Sequence, residues 1–228
     1  MAHLTLGQIK QLIEIDEANK EDDVAGMLQM LISRLTSGGV DAKAQGGTRR
    51  VQAKRLYNKG FGWGQSFEEY LEDIPGLTDE LENEDRRFPH LVLVDTRLPI
   101  RAICRLLDVT PHTRGRVAEA FGKEPAQPVY WMRAQTGHRQ RACKTVSFYR
   151  AYFDADEIGL TFHEALACFA QSWAFLKGCA IDTPGTVEGG YRSLAGYLSW
   201  LKDHPRPQLG FRPQTEEASL HSTASRRK

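Results

Sequence analysis

The segment Asp156–Trp173, DEIGLTFHEALACFAQSW, constrains this chain most, because a helix start and an apolar stripe fall in register within it. Thr161 is followed three residues later by Glu164. That is the spacing of a capping box, in which a hydroxyl and a carboxylate satisfy backbone donors that the first helical turn leaves unpaired. A helix opening at Phe162 and turning about 100° per residue places Phe162, Leu166, Phe169 and Trp173 on one stripe, flanked by Ala165 and Ala170. Such a stripe belongs in a core, so the rest of the chain has to cover it.

The same helix carries His163, Glu164 and Cys168, residue types that bind metals or act as nucleophiles. Their spacing argues for a structural role. His163 and Cys168 point in different directions, whereas ligand pairs on a helix stand one turn apart as in H-E-x-x-H, and Ala167 occupies the place of the second ligand. His163 is read as bordering the stripe, and Cys168 as a small residue on the side away from it.

With 228 residues, 41% of them apolar and 26% charged, the chain has the composition of a soluble globular protein able to bury a core without covalent staples. The net charge of +1 gives no global signal for a polyanionic partner. Cys104, Cys143, Cys168 and Cys179 form no C-x-x-C pair and are read as thiols, not as zinc ligands or disulfides. No apolar run approaches a membrane span and the N-terminus lacks the order of a signal peptide, so a cytoplasmic protein without membrane contact is expected. P-loop, dinucleotide, nucleophile-elbow and zinc-protease motifs are all missing, so no cofactor, metal or catalytic residue is assigned.

Residues 1–36 read as a pair of amphipathic helices, the first capped by Thr5 and Gln8 and the second running from Asp22 to Leu35. Their stripes need cover from the body, from a second copy or from a partner protein. Residues 37–48 are a Gly-rich linker, 49–212 an α+β body, and 213–228 a polar, Ser/Thr-rich stretch expected to be a disordered tail. Within the body, a helix is capped by Ser66 and Glu69, and an acidic run covers Asp79–Asp85. His90–Asp95 reads as a buried strand whose terminal Asp95 either caps the next turn or helix or faces a ligand, and Ile100–Leu107 as a helix. Pro128–Gln135 reads as a strand, Val146–Phe153 as a helix, and Cys179–Ile181 as a strand entering the turn Asp182-Thr183-Pro184-Gly185. Ala195–Leu201 and Gln208–Arg212 form a hairpin whose loop prolines suit a sheet edge. The fold class is α+β, a small mixed or antiparallel sheet with packed helices behind a two-helix appendage.

Two basic stretches are the candidate sites. Arg49–Trp63, RRVQAKRLYNKGFGW, has no acidic residue and interleaves Arg49, Arg50, Lys54 and Arg55 with Tyr57, Phe61 and Trp63. That mixture suits a single-stranded nucleic acid, with charge for phosphates and rings for bases, and equally an ordinary amphipathic helix and turn. The second stretch runs from the Pro128–Gln135 strand into TGHRQRACK, where Trp131, Arg133, His138, Arg139, Arg141 and Lys144 are candidates to meet an anion. The alternative there is solvated loop charge.

The order of LYNKGFGWGQSFEEYLEDIPGL, LVLVD, DEIGLTFHEAL, DTPG and RPQLGF resembles that of a family of bacterial proteins catalogued as a domain of unknown function, frequent in actinobacteria and candidate phyla. The likeness covers about Leu56–Phe211, and its most specific parts are the E-x-G-L-T segment and the final R-P-x-L-G. It implies an α+β body centred on the Thr161 helix and carries no activity with it. The chain departs from that pattern where it closes, reading HSTAS from His221 to Ser225.

Three functions fit these features. One is a non-enzymatic binding or adaptor module, contacting RNA or another phosphate-bearing ligand through the Arg-rich stretches. Another is a small hydrolase-like enzyme using dispersed groups such as Asp95 with His138 or His163. The third is a structural protein that self-associates through residues 1–36.

Overall fold

The computed structural model describes residues 45–83, 85–112, 117–119, 127–135, 144–172, 180–188, 194–201, 204–217 and 221–228. The paired helices expected over 1–36, together with Cys143, Trp173 and Cys179, lie outside the described residues. In chain order the elements are α1 (Gln45–Asn58), α2 (Phe67–Glu72), α3 (Asp79–Glu82), β1 (His90–Asp95), α4 (Ile100–Leu106), β2 (Thr110–Pro111) and β3 (Val117–Glu119). After these come β4 (Val129–Gln135), α5 (Val146–Ala151), β5 (Glu157–Gly159), α6 (Phe162–Gln171), β6 (Ala180–Thr183), β7 (Thr186–Glu188), β8 (Leu194–Ser199), β9 (Gln208–Pro213), β10 (His221–Thr223) and β11 (Ser225–Arg227). The chain is an α+β protein. Its first helix begins at Gln45, inside the stretch read as a linker.

Two sheets divide the body. The first is antiparallel, ordered β1-β4-β11-β5, with Leu93 opposite Trp131 across β1 and β4. The second is mixed, ordered β10-β6-β8-β9-β2, and β3 pairs with β7 as a separate ribbon. The β8–β9 hairpin therefore lies inside a sheet and not at its edge, because Thr110 adds alongside Gln208 and donates its backbone N–H to Pro207 O at 2.8 Å. The outer edge of β1 is closed by a side chain of α1. Gln52 accepts from Leu93 N and donates to Leu91 O, each at 2.8 Å, which satisfies two groups that an edge strand leaves open.

Helix α6 packs on β1 of one sheet and on β8 and β6 of the other. Its capping box forms as the spacing dictates: Thr161 Oγ1 accepts from Glu164 N at 3.3 Å, and Glu164 accepts from Thr161 N at 2.7 Å. One stripe, however, understates the burial. Phe162 and every residue from Glu164 to Ala170 are buried, and Cys168, assigned to the far side, is 1% exposed. A helix held between two sheets has no solvent face to keep polar, which is why small residues occupy the side away from the stripe.

The segment E-x-G-L-T and the turn D-T-P-G pack against each other. Gly185 N donates to Leu160 O at 2.9 Å, and a Cβ on Gly185 would stand 2.5 Å from Gly159 O. Thr186, just after the turn, accepts from Phe162 N at 2.8 Å and so completes the start of α6. These two motifs build the entrance to the central helix.

The stretch expected to be a disordered tail instead contributes a strand to each sheet, β10 beside β6 and β11 between β4 and β5. Its polar side chains are matched by buried groups from the body. His221 meets Asp182, Ser225 bonds to Glu157 and Gln135, and Arg226 pairs with Glu164. Polar composition signals disorder only when such partners are missing.

Candidate ligand-binding pocket

Helix α1 ends where Gly60 takes φ +94°, a left-handed turn that glycine adopts without a Cβ clash. Lys59, Gly60 and Phe61 return their N–H groups to carbonyls of the last turn, Leu56 O and Tyr57 O, at 2.8–3.2 Å. Phe61 then plunges into the core, Gly62 fits against the Tyr57 and Tyr70 rings, and Gly64 turns the chain back at φ +80°. Tyr57 holds the returning strand by donating its hydroxyl to Gln65 O at 3.0 Å, and Ser66 caps α2 with Glu69. The loop is thus fastened at both ends, and Trp63 stands at its tip with 84% of its surface exposed.

Across from this loop, Leu98 and α4 form a second wall, with Gly60 in contact with Leu106. Between them lies a pocket of about 580 Å³ lined by Tyr57, Trp63, Leu98, Ala102, Arg105 and Leu106 among others. Its walls are apolar and aromatic, with the guanidinium of Arg105 as the cationic group. Beside it, Arg97 grips the buried Asp95 through Nε at 3.0 Å and Nη2 at 2.7 Å, and Tyr70 donates to the same carboxylate at 3.1 Å. Burial, followed by the Asp95 charge, pushes the Tyr70 phenol far above its ordinary range. Asp95 is therefore saturated and fixes the loop after β1.

Among the described site residues expected from the sequence, Arg49, Arg50, Trp131 and Arg133 are engaged within the fold. Arg49 donates to Ile74 O and Leu71 O, satisfying carbonyls at the end of α2. Arg50 pairs with Glu68 at 2.9 Å and lies over the Phe67 ring. Arg55, exposed, donates to Gln171 O at 3.3 Å. Trp131 is buried with its indole N–H on Pro75 O at 2.8 Å. Arg133 is also buried and donates to Leu81 O and Glu82 O, the carbonyls of α3. Lys144 is exposed near Glu217 at 3.6 Å. His138, Arg139 and Arg141 lie outside the described residues. Trp131 and Arg133 thus both donate to backbone carbonyls. Lys54 alone of these keeps a link to the pocket, its Nζ standing 5.2 Å from the centroid of Tyr57 and 4.2 Å from that of Phe67.

Asp95 and His163 do not pair; His163 Nε2 lies 3.1 Å from Leu98 O. An aspartate and a histidine do meet elsewhere, at Asp182 and His221, 2.9 Å apart, where Arg212 also clamps the carboxylate at 2.8 and 3.1 Å. That cluster ties β10 and β9 to β6. Among the described residues no group of three or more His, Cys, Asp or Glu could hold a metal ion, and no helix is long and apolar enough to cross a membrane.

Sequence reasoning missed Arg105 and Leu106 altogether and did not separate Trp63 from its aromatic neighbours. The available signal was G-F-G-W-G, one aromatic turned inward and one outward by flanking glycines. No protein-family model, curated protein or solved structure matches the chain. The resemblance to a bacterial family accordingly rests on its motifs alone.

Proposed function

We propose that this protein is a binding module whose pocket between the 59–65 loop and α4 takes a planar, phosphate-bearing ligand, that is, a nucleotide unit. The observation that carries this reading is Trp63. A fastened loop holds its indole in water at 84% exposure on the rim of a concave apolar site. An exposed aromatic beside a pocket is a stacking platform in waiting, and stacking on a base contributes about 1–3 kcal/mol. Arg105, on the facing wall, offers a guanidinium fork to a phosphate. The volume of about 580 Å³ suits a single nucleotide.

Calorimetric titration with UMP, AMP and the phosphate-free uridine tests the reading. Wild-type protein binds the nucleotides, Trp63→Ala weakens them by roughly 5- to 100-fold at unchanged thermal stability, and Arg105→Gln removes the preference for UMP over uridine. Equal affinity in wild type and Trp63→Ala sinks it.

A further inference from the structure

We infer that the ligand of this pocket is a single-stranded nucleic acid and not a free nucleotide, an inference that rests on the pocket reading above. Its basis is the charge left over around the site. Lys54 and Lys59 on the α1 side, and Arg101 and Arg105 on the α4 side, have no acidic partner among the described residues, and all four are exposed. Other arginines do have one: Arg50 is paired with Glu68, Arg97 with Asp95 and Asp73, and Arg206 with Asp108, while Arg49 and Arg55 bond to backbone carbonyls. Of the carboxylates on and just after α2, Glu68 is engaged by Arg50, Glu69 by the Ser66 cap and Asp73 by Arg97 and Gln65, while Glu72 is exposed. Among the described residues, Lys54, Lys59, Arg101 and Arg105 therefore leave positive charge without a carboxylate partner on both sides of the loop that carries the exposed indole.

Geometry favours a strand over a single nucleotide. Arg101 and Arg105 lie one turn apart on the same side of α4, so the positive charge extends along the helix beyond the residue that lines the pocket. On the α1 side, the Nζ of Lys54 stands 5.2 Å from the centroid of Tyr57, which lines the pocket. One phosphate group on Arg105 leaves Arg101 and the α1-side lysines without a partner while its base stacks on Trp63, whereas successive phosphates of a strand can extend to them. A duplex is excluded by the same indole, because its bases are paired and stacked and present no free face. Of the polar side chains on the lining, Gln65 donates its Nε2 to Asp73 and Tyr57 its hydroxyl to Gln65 O, so recognition is by backbone charge and stacking and tolerates sequence.

The test is fluorescence anisotropy of the full chain with labelled oligo(U) and oligo(dT), from a trinucleotide to about 9 nucleotides, beside UMP, a duplex of equal length and polyglutamate as competitors. Affinity rises at least tenfold from UMP to the longer strands. It falls with salt at a log–log slope of about −2 to −3, as three or four phosphate contacts on a single strand require. Lys54→Gln and Arg101→Gln each flatten that slope by roughly 0.7. A preference of oligo(U) over oligo(dT) identifies RNA as the source, and equal binding identifies single strands of either kind. Length-independent affinity, with Trp63→Ala still losing UMP, overturns this inference and leaves the pocket reading standing. Loss of both strand and UMP binding removes the two together. Equal competition by duplex or polyglutamate shows attraction to charge alone and also overturns it.

Discussion

The guanidinium of Arg226, in β11, is in ion-pair contact with the fully buried carboxylate of Glu164, the third residue of α6. Glu164 also receives the Tyr130 hydroxyl at 3.0 Å and caps its own helix. One carboxylate therefore joins the central helix to strands β4 and β11. Arg226→Ala leaves that charge without its partner and lowers unfolding free energy by about 3–5 kcal/mol. Combining Arg226→Met with Glu164→Gln removes both charges and recovers part of the loss, as urea denaturation should show.

The contact between Gly159 and Gly185 sets a second expectation. A methyl group on Gly185 meets backbone, Gly159 O and Leu160 O, which cannot swing aside as a side chain can. Gly185→Ala costs about 1–3 kcal/mol by overpacking. Gly76→Ala is the matched control, since a Cβ there has nothing within 4 Å. It is neutral, or stabilising by restricting the unfolded chain.

Acid should weaken the fold in two steps. Burial lowers the pKa of His90 from its ordinary 6.5, so the unfolded chain binds that proton more readily and stability declines as pH falls below 6.5. Asp73 is held down chiefly by Gln65 and then Arg97, and Asp156 by Arg87, each below the ordinary 3.8. Folded-state values depressed in this way give stability that is full above 3.8 and lost as pH falls further. In thermal melts across pH, His90→Gln abolishes the upper step and Arg87→Gln shrinks the lower one.

Burial also governs thiol chemistry. It pushes Cys104 up to about 12 and Cys168 higher still, with Glu164 adding to the shift at Cys168. Both resist iodoacetamide in the native protein and label fully in urea, read peptide by peptide by mass spectrometry. Rapid native labelling of either contradicts the packing of α6 and α4.

What the sequence made legible was local. The capping boxes at Ser66 and Thr161, strands β1 and β4 and the β8–β9 hairpin lie close to where periodicity and turn residues place them, because a few adjacent residues determine each. Arg133 and Trp131 read as ligand groups since their acceptors, Leu81 O, Glu82 O and Pro75 O, lie some fifty residues away in sequence. The run His221–Arg227 read as disorder for the same reason: Asp182, Glu157 and Glu164, the buried partners of His221, Ser225 and Arg226, are distant in the chain. Trp63 went unassigned within its stretch because composition does not reveal which of Tyr57, Phe61 and Trp63 turns outward.

Strand β11 is flanked on both sides by its own chain, between β4 and β5, and the other three strands of that sheet all precede it in sequence. A separate peptide spanning 218–228 is therefore expected to occupy the same place. Protein lacking those residues, mixed with that peptide, should regain cooperative unfolding, whereas a peptide carrying Arg226→Glu should not. The same slot makes exchange between two copies a route to dimers, with each copy lending its β10–β11 segment to the other.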